Sequence, residues 1–204
     1  TIAIPQSEFI KLNYMQGLNT ALSPLKEIYD QGWMSIINNV GYPNPNRSHF
    51  RSMDIWQTAS DSNQFLSTGW IGRYLDSNCQ MCKNPYNAVE VDDTLSLALK
   101  GDTKKGIALQ DPDKLFRTTN TPFFGKLIEH DKEHLDEDNL GYLYKTMIET
   151  YSSAGYIKET TKNYSNSFVY PESAFAKKLK TVARFILSGL ETRVYYVSLS
   201  GFDT

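Results

Sequence analysis

The segment NPNRSHFRSMDIW, residues 44–56, contains side chains that could do chemistry. Ser48 precedes a predicted helix, so its hydroxyl could be a nucleophile at a helix N-terminus, where backbone N–H groups attract anions. The same hydroxyl could simply cap that helix, whose apolar positions begin at Phe50 and Met53. Capping alone does not explain the flanking Arg47 and His49, although a solvated arginine and a partly buried histidine are ordinary alternatives. Both roles of Ser48 stay open.

A second set of candidate ligands uses both cysteines and the two other histidines. Cys79 and Cys82 form a C-x-x-C pair, and His130 and His134 are four residues apart, which places them on one face of a helix. Both spacings are compatible with a tetrahedral zinc site. A strained Cys79–Cys82 disulfide and two free thiols are the alternatives.

The elements around Ser48 predict where it lies. A helix is predicted over residues 20–31, with Pro24 in its first turn and Gly32 at the left-handed position after it. The apolar residues 33–40, WMSIINNV, predict a buried strand. Strand, polar loop and helix in this order place Ser48 at the carboxyl edge of a sheet, where α/β proteins bind ligands.

The second half of the chain alternates helices and strands. Helices are predicted over 69–77, 122–134, 135–155 and 171–188, with short strand-like runs in 88–99, a connection over 101–113 and a loop over 163–169. The last helix ends at Gly189 and is followed by a predicted strand over 192–200, TRVYYVSLS. A helix, a short turn and a buried strand form half of a crossover unit. The sequence therefore predicts an α/β fold with a mainly parallel sheet flanked by helices.

Composition excludes several classes of partner. The 204 residues carry 21 Lys and Arg against 23 Asp and Glu, a net charge of -2. This balance, without long runs of one sign, is unlike that of a nucleic-acid-binding protein. No apolar segment reaches the roughly 20 residues that span a bilayer. We therefore expect neither nucleic acid nor a membrane span, and the sequence leaves the oligomeric state undefined.

The two ends of the chain are unusual for a domain. The terminal residues Gly201, Phe202, Asp203 and Thr204 come just after the predicted last strand. That position is where α/β enzymes place metal ligands and catalytic carboxylates, although Asp203 could also be a turn residue. The first residues, TIAIPQ, predict no central strand. We expect residues 1–204 to form a single partial domain, an internal fragment incomplete at both ends.

The blocks RSHFRSMD, GWIGRYLD and SGFDT, in this order, resemble a family of exported sulfatase-like proteins. The family is catalogued as domain of unknown function fifteen-oh-one, within the alkaline phosphatase superfamily. The resemblance covers nearly the whole chain and implies an alkaline phosphatase or sulfatase-like fold. It also implies export or a periplasmic location, with the export signal and a first metal ligand before Thr1.

The resemblance assigns roles to four residues. Asp203 becomes a metal-ligand candidate, Ser48 the nucleophile or a metal-facing hydroxyl, Arg47 an anion clamp, and His49 a group that binds the leaving group or orients the loop. The chemistry implied is hydrolysis of a small anionic phosphate or sulfate ester, assisted by zinc, manganese or calcium. This departs from sulfatases, which place their nucleophile before an arginine.

Two expectations follow from these roles. Ser48 and Asp203 should lie at one edge of the sheet with side chains within about 12 Å, the span of a metal site with a bound oxyanion. The fragment alone should hold no ordered metal at Asp203 and have negligible activity, since it supplies too few ligands. The alternative function is a non-enzymatic exported α/β protein that binds polysaccharide or another cell-surface component.

Overall fold

The computed structural model describes residues 4–78, 84–130, 138–164 and 167–201. The chain divides into two compact units, Thr1–Pro43 and Asn44–Thr204. Each unit is built around its own sheet, and the two are described separately. The expectation that residues 1–204 form one partial domain stays a prediction.

The first unit combines a hairpin with a short helix. Strands β1 (Phe9–Lys11) and β2 (Gly17–Asn19) pair antiparallel, and a 3-10 turn leads into helix α1 (Ser23–Asp30). Pro24 is in the first turn of α1, and Gly32 has a φ of 75°, the left-handed conformation expected after the helix. The predicted helix is therefore confirmed, within a few residues at each end.

The predicted buried strand over residues 33–40 is wrong. These residues form neither strand nor helix, and Trp33 and Ile37 are each 80% exposed. An apolar run becomes a strand only when a neighbouring strand satisfies its backbone N–H and C=O groups, and within the described residues these eight pair with none. The strand that was to place Ser48 at a sheet edge is therefore absent.

The second unit contains a three-stranded parallel sheet. Strand β3 (Ala88–Glu90) lies in the centre, between β4 (Ile107–Ala108) and β5 (Val194–Tyr196). Backbone bonds extend the ladder beyond these short strands, from Val91 N to Tyr196 O at 3.0 Å and from Leu109 N to Glu90 O at 2.9 Å. The predicted α/β fold with a parallel sheet is confirmed.

The described part of the second unit contains six helices. They are α2 (His49–Thr58), α3 (Trp70–Asn78), α4 (Pro112–Thr119), α5 (Pro122–His130), α6 (Asp138–Thr161) and α7 (Ala174–Leu187). The predicted helices correspond to α2, α3, α5, α6 and α7, with α6 extending further than expected. The connection predicted over 101–113 was wrong in part, because it contains β4 and the start of α4.

Both faces of the sheet are covered, and the core lies on both. On one face Ala88 packs with Ile71 and Leu75 of α3 and with Leu99 of a 3-10 turn at Leu97–Leu99. On the other face the core consists of Val89, Val91, Ile107, Leu109, Ile157, Phe185 and Leu190. Side chains of β3 alternate between the two faces, so neighbouring residues of this strand belong to different cores. At the carboxyl end of β3, residues from both faces therefore lie close together at one edge of the sheet.

Candidate functional site

The loop before α2 is arranged as a helix cap. Ser48 is the N-cap residue, and its Oγ accepts the backbone N–H of Arg51 at 3.5 Å. The Asn46 side chain in turn accepts the Ser48 N–H at 2.8 Å, and Ser52 Oγ donates to the Asn46 carbonyl at 2.6 Å. The capping role of Ser48 is therefore present, and its role as a nucleophile stays a prediction.

The cations beside Ser48 differ in their surroundings. Arg47, Ser48 and His49 are all exposed. Arg51 is half-buried: its guanidinium donates to the carbonyls of Ser62, at 3.1 Å, and Gln64, and stacks over the Phe65 ring at 3.9 Å. Arg51 therefore fixes the loop after α2 to the first turn of that helix.

Helix α2 meets the centre of the unit at its opposite end from Ser48. The buried side chains of α2 are Ile55 and Thr58, and Gln57 Oε1 accepts the N–H of Leu97 at 3.1 Å. Gln57 is nine residues beyond Ser48, roughly 13 Å along a helix axis. The described contacts thus attach the far end of α2 to the core, and leave Ser48 at an exposed helix start.

A different group of polar side chains occupies the carboxyl edge of the sheet. It consists of Asp92, Lys178 and Ser198, and we call it the carboxyl-edge group. Asp92, two residues after β3, accepts a hydrogen bond from Lys178 of α7 at 2.6 Å. Its Oδ2 also accepts from Ser198, two residues after β5, at 3.2 Å. The hydrogen bond from the Lys178 ammonium lowers the pKa of Asp92, so this carboxyl is ionised over the neutral range.

Glu90 adds a buried carboxyl beneath this edge. Its side chain is 4% exposed and accepts the Ser96 backbone N–H at 2.6 Å. Burial raises the pKa of Glu90 above its usual value, and the neighbouring Asp92 carboxylate raises it further. Register pairs Glu90 with Tyr196 of β5, whose phenol pKa is raised by burial and by Glu90. The edge therefore has one ionised carboxylate near solvent and one carboxyl below it.

Two small cavities open at this edge and share Gln110. One, of about 170 Å³, is lined by Asp92, Asp93, Asp111 and Lys114 among others. The other, of about 200 Å³, lies against α7 and is lined by Lys177 and Lys178. Asp111 is the N-cap residue of α4, and its carboxylate accepts the Asp113 N–H at 2.8 Å.

Chemically, the carboxyl-edge group joins three elements. Asp92 is 86 residues from Lys178 and 106 from Ser198, so one carboxylate fixes the crossover helix α7 and the segment after β5 to the central strand. Among the described residues no group of three or more His, Cys, Asp or Glu side chains could hold a metal ion. The described contacts show that Asp92 positions α7 and Ser198 relative to the central strand.

Most of the other predicted ligands fall outside the described residues. These are Cys79, Cys82, His134 and Asp203. His130 is the last residue of α5, and its side chain also lies outside the description. The 12 Å expectation for Ser48 and Asp203 therefore stays a prediction.

The sequence contained a signal for the carboxyl-edge group. Residues 88–93 read AVEVDD, in which a short run with apolar residues on both sides of Glu90 is followed directly by two aspartates. In a parallel sheet that pattern marks polar groups at the carboxyl end of a strand. The pairing of Asp92 with Lys178 had no local signal, because the two residues meet only through the fold.

Comparison of the chain with protein-family models, curated proteins and solved structures gave no match. The fold and the site define the second unit as an α/β structure with a parallel sheet. Polar side chains of β3, α7 and the segment after β5 meet at the carboxyl edge of that sheet. In the described part of the chain, no helix combines the length and apolar character needed to cross a membrane.

Proposed function

We propose that this chain is part of an exported, sulfatase-like protein of the alkaline phosphatase superfamily that hydrolyses a small phosphate or sulfate ester. One observation carries the proposal. β3 and β5 are adjacent parallel strands, and the segment after β5, which contains SGFDT, begins at the edge where Asp92 holds Ser198. Ligands in α/β enzymes bind at this edge.

The described residues limit which metal ligands the proposal can use. Lys178 already neutralises Asp92, and the described residues contain no three-ligand group, so they do not by themselves fit a catalytic metal site. Under the proposal, Asp203 and residues beyond this chain complete the site for zinc, manganese or calcium. The 204-residue chain alone is then without appreciable hydrolase activity.

Ser48 is the proposed nucleophile, with Arg47 as the anion clamp and His49 beside the leaving group. The helix start supports this role, because its backbone N–H groups and the guanidinium attract an oxyanion. The exposed position of residues 47–49 is compatible with access by a substrate. For these residues to act with Asp203, α2 must present its N-terminus towards the segment after β5.

The test compares the 204-residue chain with a chain extended by the flanking gene sequence. Turnover of aryl phosphate and aryl sulfate is measured with zinc, manganese and calcium, and metal binding by calorimetry. The extended chain is expected to bind metal and to turn over one ester, and Asp203→Asn is expected to abolish both. A chain that binds no metal and turns over neither ester would exclude the hydrolase and favour the non-enzymatic binding protein.

Two variants of Ser48 separate catalysis from capping. Ser48→Ala removes cap and hydroxyl together and costs about 1 kcal/mol of stability, whereas Ser48→Asn keeps a capping side chain without the hydroxyl. If Ser48 is the nucleophile, both variants of the extended chain lose activity by about 1,000-fold or more, while Ser48→Asn keeps the wild-type melting temperature. Full activity in Ser48→Asn would reduce Ser48 to a cap.

A further inference from the structure

We draw no further inference here: the strongest candidate, the apolar surface of residues 33–40 in the first unit, where Trp33 and Ile37 are each 80% exposed, does not support a proposal, because nothing in the described residues shows what covers it.

Discussion

At the scale of single residues, the chain uses polar side chains mainly to fix its own backbone. Ser48 caps α2, Asp111 caps α4, and Asp76 holds the loop before β4. Each of these side chains replaces water at backbone N–H groups that secondary structure leaves without a partner. A functional role for such a residue has to be shown beyond this structural one, as the Ser48→Asn comparison does.

Glu90 differs, because its burial is costly when it is charged. Folding raises the pKa of Glu90 above 4.5, the value taken for the unfolded chain, so the protonated carboxyl contributes to stability. This contribution is fully present below the unfolded pKa and is lost as pH rises through the folded pKa. Glu90→Gln keeps an oxygen to accept the Ser96 N–H and never becomes charged. The variant should therefore gain stability relative to wild type as pH rises from about 4 to about 7.

Urea unfolding at several pH values would measure that difference. Glu172→Gln is a suitable control, because Glu172 is 92% exposed and its exposed ion pair with Lys177 contributes little to stability. A difference between Glu90→Gln and wild type that stays constant with pH would show that the Glu90 carboxyl has the same pKa in both folded and unfolded chains.

At the scale of elements, close backbone approach decides how α3 is seated. A Cβ atom at Gly72 would lie 2.1–2.3 Å from backbone atoms of Lys100 and Gly101, which no side-chain movement can relieve. Gly72→Ala should therefore separate α3 from this segment and destabilise the unit by about 3 kcal/mol. The chain offers a matched control in Gly155 of α6, where a Cβ would meet nothing within 4 Å.

Gly155→Ala is expected to stabilise the protein by up to about 1 kcal/mol, the difference in helix propensity between the two residues. Denaturant midpoints of both variants, measured side by side, check the pair. Similar midpoints for Gly72→Ala and Gly155→Ala would mean that α3 does not pack against residues 100 and 101 in solution.

At the scale of the whole second unit, a single carboxylate connects three helices. Asp113 of α4 accepts from Lys158 of α6 and, at 3.4 Å, from Arg184 of α7. Arg184 also donates to the Thr161 carbonyl at 3.2 Å, which extends the connection to the end of α6. The hydrogen bond from Lys158 lowers the pKa of Asp113, so the folded protein favours the charged form of this carboxyl.

Asp113→Ala should lower the free energy of unfolding by about 1–2 kcal/mol. This is a low value for the loss of charged hydrogen bonds, because the Asp113 side chain is about a third exposed and water screens its charge. Thermal unfolding measures the loss, and Glu172→Ala, which breaks an exposed pair, should stay within about 0.5 kcal/mol of wild type. An equal effect of the two substitutions would contradict the connecting role of Asp113.

The sequence by itself determined the elements whose signals are local. The cap at Ser48, the left-handed Gly189 after α7 and the periodicity of α7 all depend on residues within a few positions of one another. Such signals can be identified from sequence because helical hydrogen bonds join residues four apart. The parallel sheet also followed, since a helix with a short turn into an apolar run is half of a crossover.

Only the tertiary structure decided which apolar runs became strands and which charges met. Residues 33–40 have the composition of a strand and form none, whereas the two-residue β4 lies in a segment that predicted only a connection. Strand pairing and contacts such as Asp92 with Lys178 join residues far apart in the chain, so no local pattern encodes them.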